Sequence, residues 1–456
     1  MLQFINKKIY LKVVLISWIF LWLSIGVTPK NLDYNFQSYI DIINIFRVFT
    51  PIFFLIILFL LIIIIKFQNK KINCEKKEYF TFINLFLIYF FLQLIGLQQN
   101  EYSKFSLENL YLIVLGVGTL EIFIINQFFD NKNFKYLLYL SILICFLSST
   151  LTFSILSIKN DYYSFLDVIN INLRAIHDVN LDKKFFLNTI YPRSTGISRT
   201  FGLINIFIVI YFLFFIKKKI IKYLFYLSSF VYTSLIWLMQ SRGSLLIFFA
   251  SISLIIFFLK KNIKEKILLI FILIFFPIIC SEVTILAARN LNNTNTKANT
   301  NENIQLKNRV VKDTSSSGRL TIWEESLKNY DRNKIFGYGP QGDRFLLTTS
   351  EKAIQYSNNS SNALLYSLLS GGYFAILIFL LIYFKILRKI YICIKKFKIF
   401  ENDTDINIKL SVSYALFFFI RSFFENSFSL FSIDFLIFVY AAIHIENYIK
   451  KKKYLI

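Results

Sequence analysis

The chain is short of the residues that build most soluble catalytic sites: only 4 of its 456 residues are cysteine and only 2 are histidine. Cys74, Cys145, Cys280 and Cys393 are scattered singly, which excludes a CxxC redox pair and an extracellular disulfide framework. His177 and His444 have no Cys or His nearby, so no metal ligand set of those residues can be read from the chain. No Ser/His/Asp constellation, P-loop or HExxH motif occurs. Glycine (13) and proline (5) are scarce while Lys, Asn, Ile and Phe abound, the bias expected of an AT-rich genome. Acidic residues are also few, 27 against 51 Lys and Arg, for a formal charge of +24. In a soluble protein that charge points to nucleic acid, but here the cations stand between hydrophobic blocks rather than along one face, so no nucleic-acid partner is expected.

What is present is apolar. Hydrophobic residues make up 56% of the chain, against about 45–50% in soluble domains. They are grouped in runs near the roughly 17–25 residues that cross a bilayer. The first run, Tyr10 to Val27 after Lys7-Lys8, exceeds a signal-peptide core and has no A-x-A-like site after it, so it reads as a membrane helix. Spans are expected near 9–27, 48–65, 79–97, 107–127, 134–156, 201–216, 222–239, 244–259, 267–287, 364–384, 408–421 and 427–445.

The fold class expected is therefore an all-α polytopic membrane protein of about 12 transmembrane helices. Lysine clusters at Lys66 to Lys77, Lys217 to Lys219, Lys260 to Lys266, Lys385 to Lys398 and Lys450 to Lys453 place both termini in the cytoplasm. The organisation that follows is helices 1–5 in 1–156, a long outer loop 157–200, helices 6–9 in 201–287, a second long outer loop 288–363, and helices 10–12 in 364–456. In the second loop, Leu320, Trp323, Leu327 and Tyr330 recur at one face of an amphipathic helix near 319–330.

Arginines gather at the expected outer face. Arg242 sits in the short turn Gln240-Ser241-Arg242-Gly243, where positive charge is disfavoured; it either snorkels to lipid phosphates or holds an anion at the mouth of the bundle. Arg319 opens the amphipathic helix, and Arg193 and Arg199 flank Ser194-Thr195-Gly196 before the sixth span. Arginine suits bidentate contact with phosphate, although for Arg193, Arg199 and Arg319 singly a solvated surface is the simpler reading. Gly337-Tyr338-Gly339-Pro340-Gln341-Gly342 fits G-x-G-x-x-G, but without a strand or βαβ unit it reads as a Gly/Pro turn. Of the acids in or near spans, Glu121, Glu282 and Asp434, Glu282 is the nearest to a site, whereas Arg421 and Glu425 read as an i, i+4 structural pair.

Three segments resemble the O-antigen ligase and polymerase superfamily: Ser241-Arg242-Gly243-Ser244-Leu245-Leu246; Gly318-Arg319-Leu320-Thr321-Ile322-Trp323 through Phe336-Gly337-Tyr338-Gly339-Pro340; and Ser361-Asn362-Ala363-Leu364-Leu365 with Gly371-Gly372. Arg193-Ser194-Thr195-Gly196 is a weaker fourth match. The resemblance implies a metal-independent, cofactor-free glycosyltransferase of the bacterial inner membrane, working at the periplasmic face on an undecaprenyl-diphosphate-linked glycan donor and acceptor. Membrane lipid and a chain-length regulator are its implied partners. It also implies that Arg242 and Arg319 contact the donor diphosphate as the catalytic cations, with Arg193, Arg199, Ser361 and Asn362 binding substrate. Ligases of the superfamily carry a His where Ser361 stands, and a serine is no general base near neutral pH, so the O-antigen polymerase branch is the one the chain is expected to join. The ligase, which moves finished polymer onto lipid A-core, is the alternative. A lipid-linked oligosaccharide flippase is the non-enzymatic rival, disfavoured because the cations crowd one face and no inverted repeat is visible.

Overall fold

The computed structural model describes residues 81–98, 143, 194–216, 218–238, 242–259, 261–283, 319–331, 335–340, 342–348, 360–401, 405–425 and 433–453. Every regular element among them is a helix: α1 (Phe82–Gln98), α2 (Ser194–Phe214), α3 (Lys219–Leu238), α4 (Arg242–Phe257), α5 (Ile263–Val283), α6 (Arg319–Lys328), α7 (Gly342–Thr348), α8 (Ala363–Lys396), α9 (Ile406–Arg421) and α10 (Ile433–Lys453). Three of these, Lys219–Trp237, Ile263–Val283 and α8, are long and apolar enough to cross a membrane. The spans expected at 9–27, 48–65 and 107–127 lie outside the described residues, as does 134–156 apart from Leu143.

The helices are bonded to one another through their interiors while leaving apolar surface outside. Phe86, Tyr89, Phe201, Phe248, Phe417 and Phe418 are buried at the centre, whereas Ile220, Leu224 and Leu227 on α3, Ile267 and Leu268 on α5, and Leu377, Leu381 and Phe384 on α8 are exposed. An apolar exterior of that extent has a stable environment in lipid rather than water. Several buried polar groups pair with one another across helices. Pro277 in α5 cannot donate to the carbonyl of Leu273; the Thr233 hydroxyl donates to it instead at 3.2 Å, and Asn205 donates to Thr233 at 2.8 Å. One missing N–H thus becomes a link among α2, α3 and α5.

Some helices run past the ends that hydropathy gives them. The helix expected from 201 begins at Ser194, the one expected to end at 384 continues to Lys396, and the one expected to end at 445 continues to Lys453. Hydropathy sees only the apolar stretch, while Lys and Arg are good helix formers and carry the helix beyond it.

The decisive element is α8. At Gly372 its backbone turns to φ 70°, ψ −162°, breaking the helical ladder inside an apolar run. The break releases the carbonyls of Leu369 and Ser370, which accept the N–H groups of Tyr338 (2.8 Å) and Gly339 (2.9 Å). The N–H of Tyr373, freed in turn, donates to the carbonyl of Ile335 at 3.1 Å. The segment Ile335 to Gly339 is thereby stitched into α8 by backbone bonds that a straight helix would have kept for itself. A Cβ on Gly372 would overlap the Ile335 carbonyl oxygen, and one on Gly96 of α1 would meet the Phe336 oxygen at 2.6 Å and the Gly339 nitrogen at 2.7 Å. Tyr330, which follows α6, packs edge-on against Tyr338 and Tyr373; burial, then the neighbouring Tyr373 and Tyr338, raise the pKa of its hydroxyl.

The Gly372→Ala variant is expected to lose at least the roughly 1–3 kcal/mol that a left-handed non-glycine residue costs, with a further loss from overlap. A clearly lowered unfolding temperature of the purified protein in detergent checks this; an unchanged one would show that the joint does not support the fold.

Candidate functional site

One end of the bundle carries a cluster of Arg199, Arg319 and Arg421, and the other, the lysine end, a cluster of Lys385 and Lys389 on Glu446. At the lysine end the buried Glu446 of α10 accepts the N–H of Phe82 at 2.9 Å and pairs with Lys385 (3.0 Å) and Lys389 (3.7 Å), while Lys385 lies 4.5 Å over the Phe82 ring. His444 is buried there too, 2.9 Å from the Ser411 hydroxyl, away from the arginines.

The arginine end is assembled from helix termini. Arg199 lies in the second turn of α2, not in a preceding loop, and Arg421 is the last residue of α9. Arg421 is buried and feels the Glu425 carboxylate together with the guanidinium groups of Arg199 and Arg319. Arg319, the first residue of α6, reaches down to bond Glu425 at 3.1 Å. Its Nη2 lies 3.5 Å from where a Cβ on Gly243 would sit, an ordinary contact distance that puts Arg319 beside the start of α4. Arg242 opens α4, with its side chain outside the described residues; Ser244 two positions on accepts from Ser198, the neighbour of Arg199, at 3.4 Å. Arg193 lies outside the described residues.

Three segments hold this cluster together at the start of α8. Asn362 caps α8, accepting from Leu364 N (2.8 Å) and Leu365 N (3.1 Å), and its Nδ2 donates to the Phe423 carbonyl at 3.2 Å. The N–H of Ala363, an orphan at a helix start, donates to Ser422 O at 2.9 Å. These bonds clamp α8 to the turn that carries Arg421 and Glu425. Ser361 takes a left-handed φ of 45°, a conformation that costs energy for a residue with a Cβ and persists where surroundings enforce it. The enforcement is visible at Ser360: its N–H and hydroxyl donate to the buried Asp343 of α7 at 2.9 and 3.0 Å, and its carbonyl accepts from the Trp323 indole of α6 at 3.0 Å. Trp323 therefore ties the helix bearing Arg319 to the turn bearing Ser361 and Asn362.

Several sequence expectations are corrected. Leu320 and Leu327 are exposed, and the face of α6 that packs inward is Ile322 and Ser326, with Trp323 beside Ile322 and Leu347; tertiary contacts with α7 override the one-face reading. Glu282 accepts from the Trp237 indole at 2.6 Å, joining α3 to α5 rather than the arginine cluster. Glu425 does not bond Arg421 alone: its ion pair runs to Arg319, far away in sequence. Asp343 was missed, because an acid beside a Gly/Pro turn gives no local signal of a partner 17 residues on. The side chain of Asp434, along with Glu121 and His177, lies outside the described residues.

A family model described as O-antigen ligase matches residues 227–380, which run from the middle of α3 to the middle of α8 and so include Gly243, Arg319 and the Gly372 joint. Over that stretch the chain is similar to the O-antigen ligase/polymerase superfamily. Members of that superfamily are membrane glycosyltransferase-like enzymes acting on lipid-linked glycans, and its apolar helices make this chain a multi-pass membrane protein. No curated protein and no solved structure matches it.

Removing the Asp343 carboxylate in Asp343→Ala leaves the buried Ser360 N–H without its acceptor, a loss of about 1–3 kcal/mol, whereas Asp343→Asn keeps an acceptor oxygen and should lose distinctly less. Thermal unfolding of both variants measures the difference; equal stability would show that the carboxylate does not anchor the turn.

Proposed function

We propose that the chain is a polysaccharide polymerase of O-antigen type, transferring a growing glycan from undecaprenyl diphosphate to the terminal sugar of a lipid-linked repeat unit. The observation that carries this reading is the meeting of Arg199, Arg319 and Arg421 beside the start of α4 at one end of an apolar bundle. A diphosphate on a membrane lipid lies at the depth of helix ends, and its negative charge grows as the sugar leaves. Fixed guanidinium groups stabilise that charge without a metal, since they need no reorganisation as the bond breaks. Arg242 and Arg319 hold the diphosphate in this reading, Arg193 and Arg199 help hold donor or acceptor, and Ser361 and Asn362 line the acceptor side.

The wider arrangement belongs to the same proposal. The chain crosses the bacterial inner membrane about 12 times, with both termini cytoplasmic and the loops 157–200 and 288–363 in the periplasm, where α6 covers the site. A chain-length regulator is a further partner. The lysine end, with Lys385, Lys389 and Lys450, faces the cytoplasm as positive residues near spans do.

The second reading is the ligase, favoured by the description of the matching family. Lipopolysaccharide from a deletion strain separates the two on a gel: polymerase loss leaves core capped with a single repeat, ligase loss strands polymer on the carrier lipid.

Arg319→Ala should lower polymer formation by about 100-fold or more and Arg319→Lys less severely, because lysine keeps charge but not the planar fork. Arg242→Ala should likewise abolish long chains while the protein remains in the membrane fraction. Normal chain length in either alanine variant, read from glycan ladders, would sink the assignment.

A further inference from the structure

A glycosyl transfer needs a group to take the proton of the attacking hydroxyl, and the arginines cannot do so. Serine at 361 is itself too weak a base, and His444 is buried at the opposite end. Among the described carboxylates, Asp343 is 1% exposed and accepts two bonds from Ser360, Glu282 serves Trp237, and Glu446 is bound to lysines. Glu324 and Glu325 lie more than a turn along α6 from Arg319.

Glu425 is placed differently. Its side chain is 24% exposed, it contacts Arg319 at 3.1 Å, and it lies two residues from Phe423, whose carbonyl Asn362 holds. Its backbone N–H is fixed on the Arg421 carbonyl at 2.8 Å, so the carboxylate is aimed from a rigid turn at the end of α9. Among the described residues, the charged groups around it are Arg319 of α6, Arg421 of α9 and, through Arg421, Arg199 of α2. A partly exposed ion pair is worth on the order of 1 kcal/mol or less, and a diphosphate offering two oxygens to one guanidinium competes well against it.

We propose that Glu425 is the general base of the transfer and that it is released for this role when the donor diphosphate displaces it from Arg319. The inference rests on the glycosyl-transfer reading above. In the step itself the acceptor hydroxyl oxygen forms a bond to the anomeric carbon of the donor sugar. The bond from that carbon to the phosphate oxygen breaks, its electron pair leaves on the diphosphate, and the hydroxyl proton passes to a Glu425 oxygen. Donor binding thus switches on its own base, since an empty site keeps the carboxylate on Arg319.

The test separates binding from turnover. Binding of undecaprenyl diphosphate to the purified full-length protein in detergent is measured beside the transfer rate in membrane vesicles from a deletion strain, which hold the cell's own lipid-linked glycan. Glu425→Gln should bind undecaprenyl diphosphate as tightly as the wild type or more tightly, because a competitor for Arg319 is gone, while its transfer rate falls by about 10²–10⁴ and loses the acid-side decline with pH. Glu425→Asp, with the carboxylate retained but displaced, should recover part of the rate and the acid-side decline. A Glu425→Gln rate within about threefold of wild type overturns the proposal, since a general base is worth far more. Loss of undecaprenyl diphosphate binding as severe as in Arg319→Ala also overturns it, because the carboxylate then only positions the arginine. Failure of the wild type itself to bind the diphosphate overturns the transfer reading, an outcome distinct from both.

Discussion

The broken ladder of α8 at Gly372 is the constraint on which the arginine end depends. A helix in an apolar setting must use its backbone groups internally, because nothing outside can satisfy them. Here two carbonyls and one N–H are handed to Tyr338, Gly339 and Ile335 instead. The segment after α6 is therefore part of the bundle rather than a loop resting on it. Gly96 of α1 closes the joint from a third direction, at distances no side chain would permit. Since α6 leads into this joint, the position of Arg319 is set by backbone bonds tens of residues away from it.

With α6 held, the electrostatics of the site follow from crowding. Arg199, Arg319 and Arg421 come from three different helices, and the first two raise the cost of keeping the buried Arg421 charged. Glu425 relieves part of that repulsion. The described side chains keep a net positive charge, which suits an anionic ligand and explains why the arrangement sits at a helix end rather than in the bundle centre. The opposite end shows the contrasting solution: Glu446 is buried against two lysines and the α1 backbone, a closed set of contacts that joins α1, α8 and α10.

The turn from Ser360 to Asn362 connects the two themes. Asp343 and Trp323 fix Ser360, Asn362 caps α8 and grips Phe423, and Ser361 between them is forced to a left-handed backbone. In the proposed transfer, a residue held on both sides beside the charged cluster would keep the site preorganised, because groups already in place need no rearrangement when the transition state forms.

The apolar runs by themselves determined that the chain is helical and membrane-bound, because crossing lipid demands a run of a given length and little else; the positions of α1, α3, α4, α5 and α9 follow the hydropathy reading to within a few residues. Of the short motifs, the Arg319 helix and the Ser361-Asn362 turn meet in the structure through Trp323. The sequence could not show that the apolar run around Gly371-Gly372 is interrupted, since hydropathy is blind to φ. Nor could it show that Glu425 pairs with Arg319, that Glu282 serves Trp237, or that Asp343 anchors Ser360. Those pairings join residues distant along the chain, and only the folded bundle decides which polar groups meet, because each must find a partner within hydrogen-bond reach wherever packing leaves it.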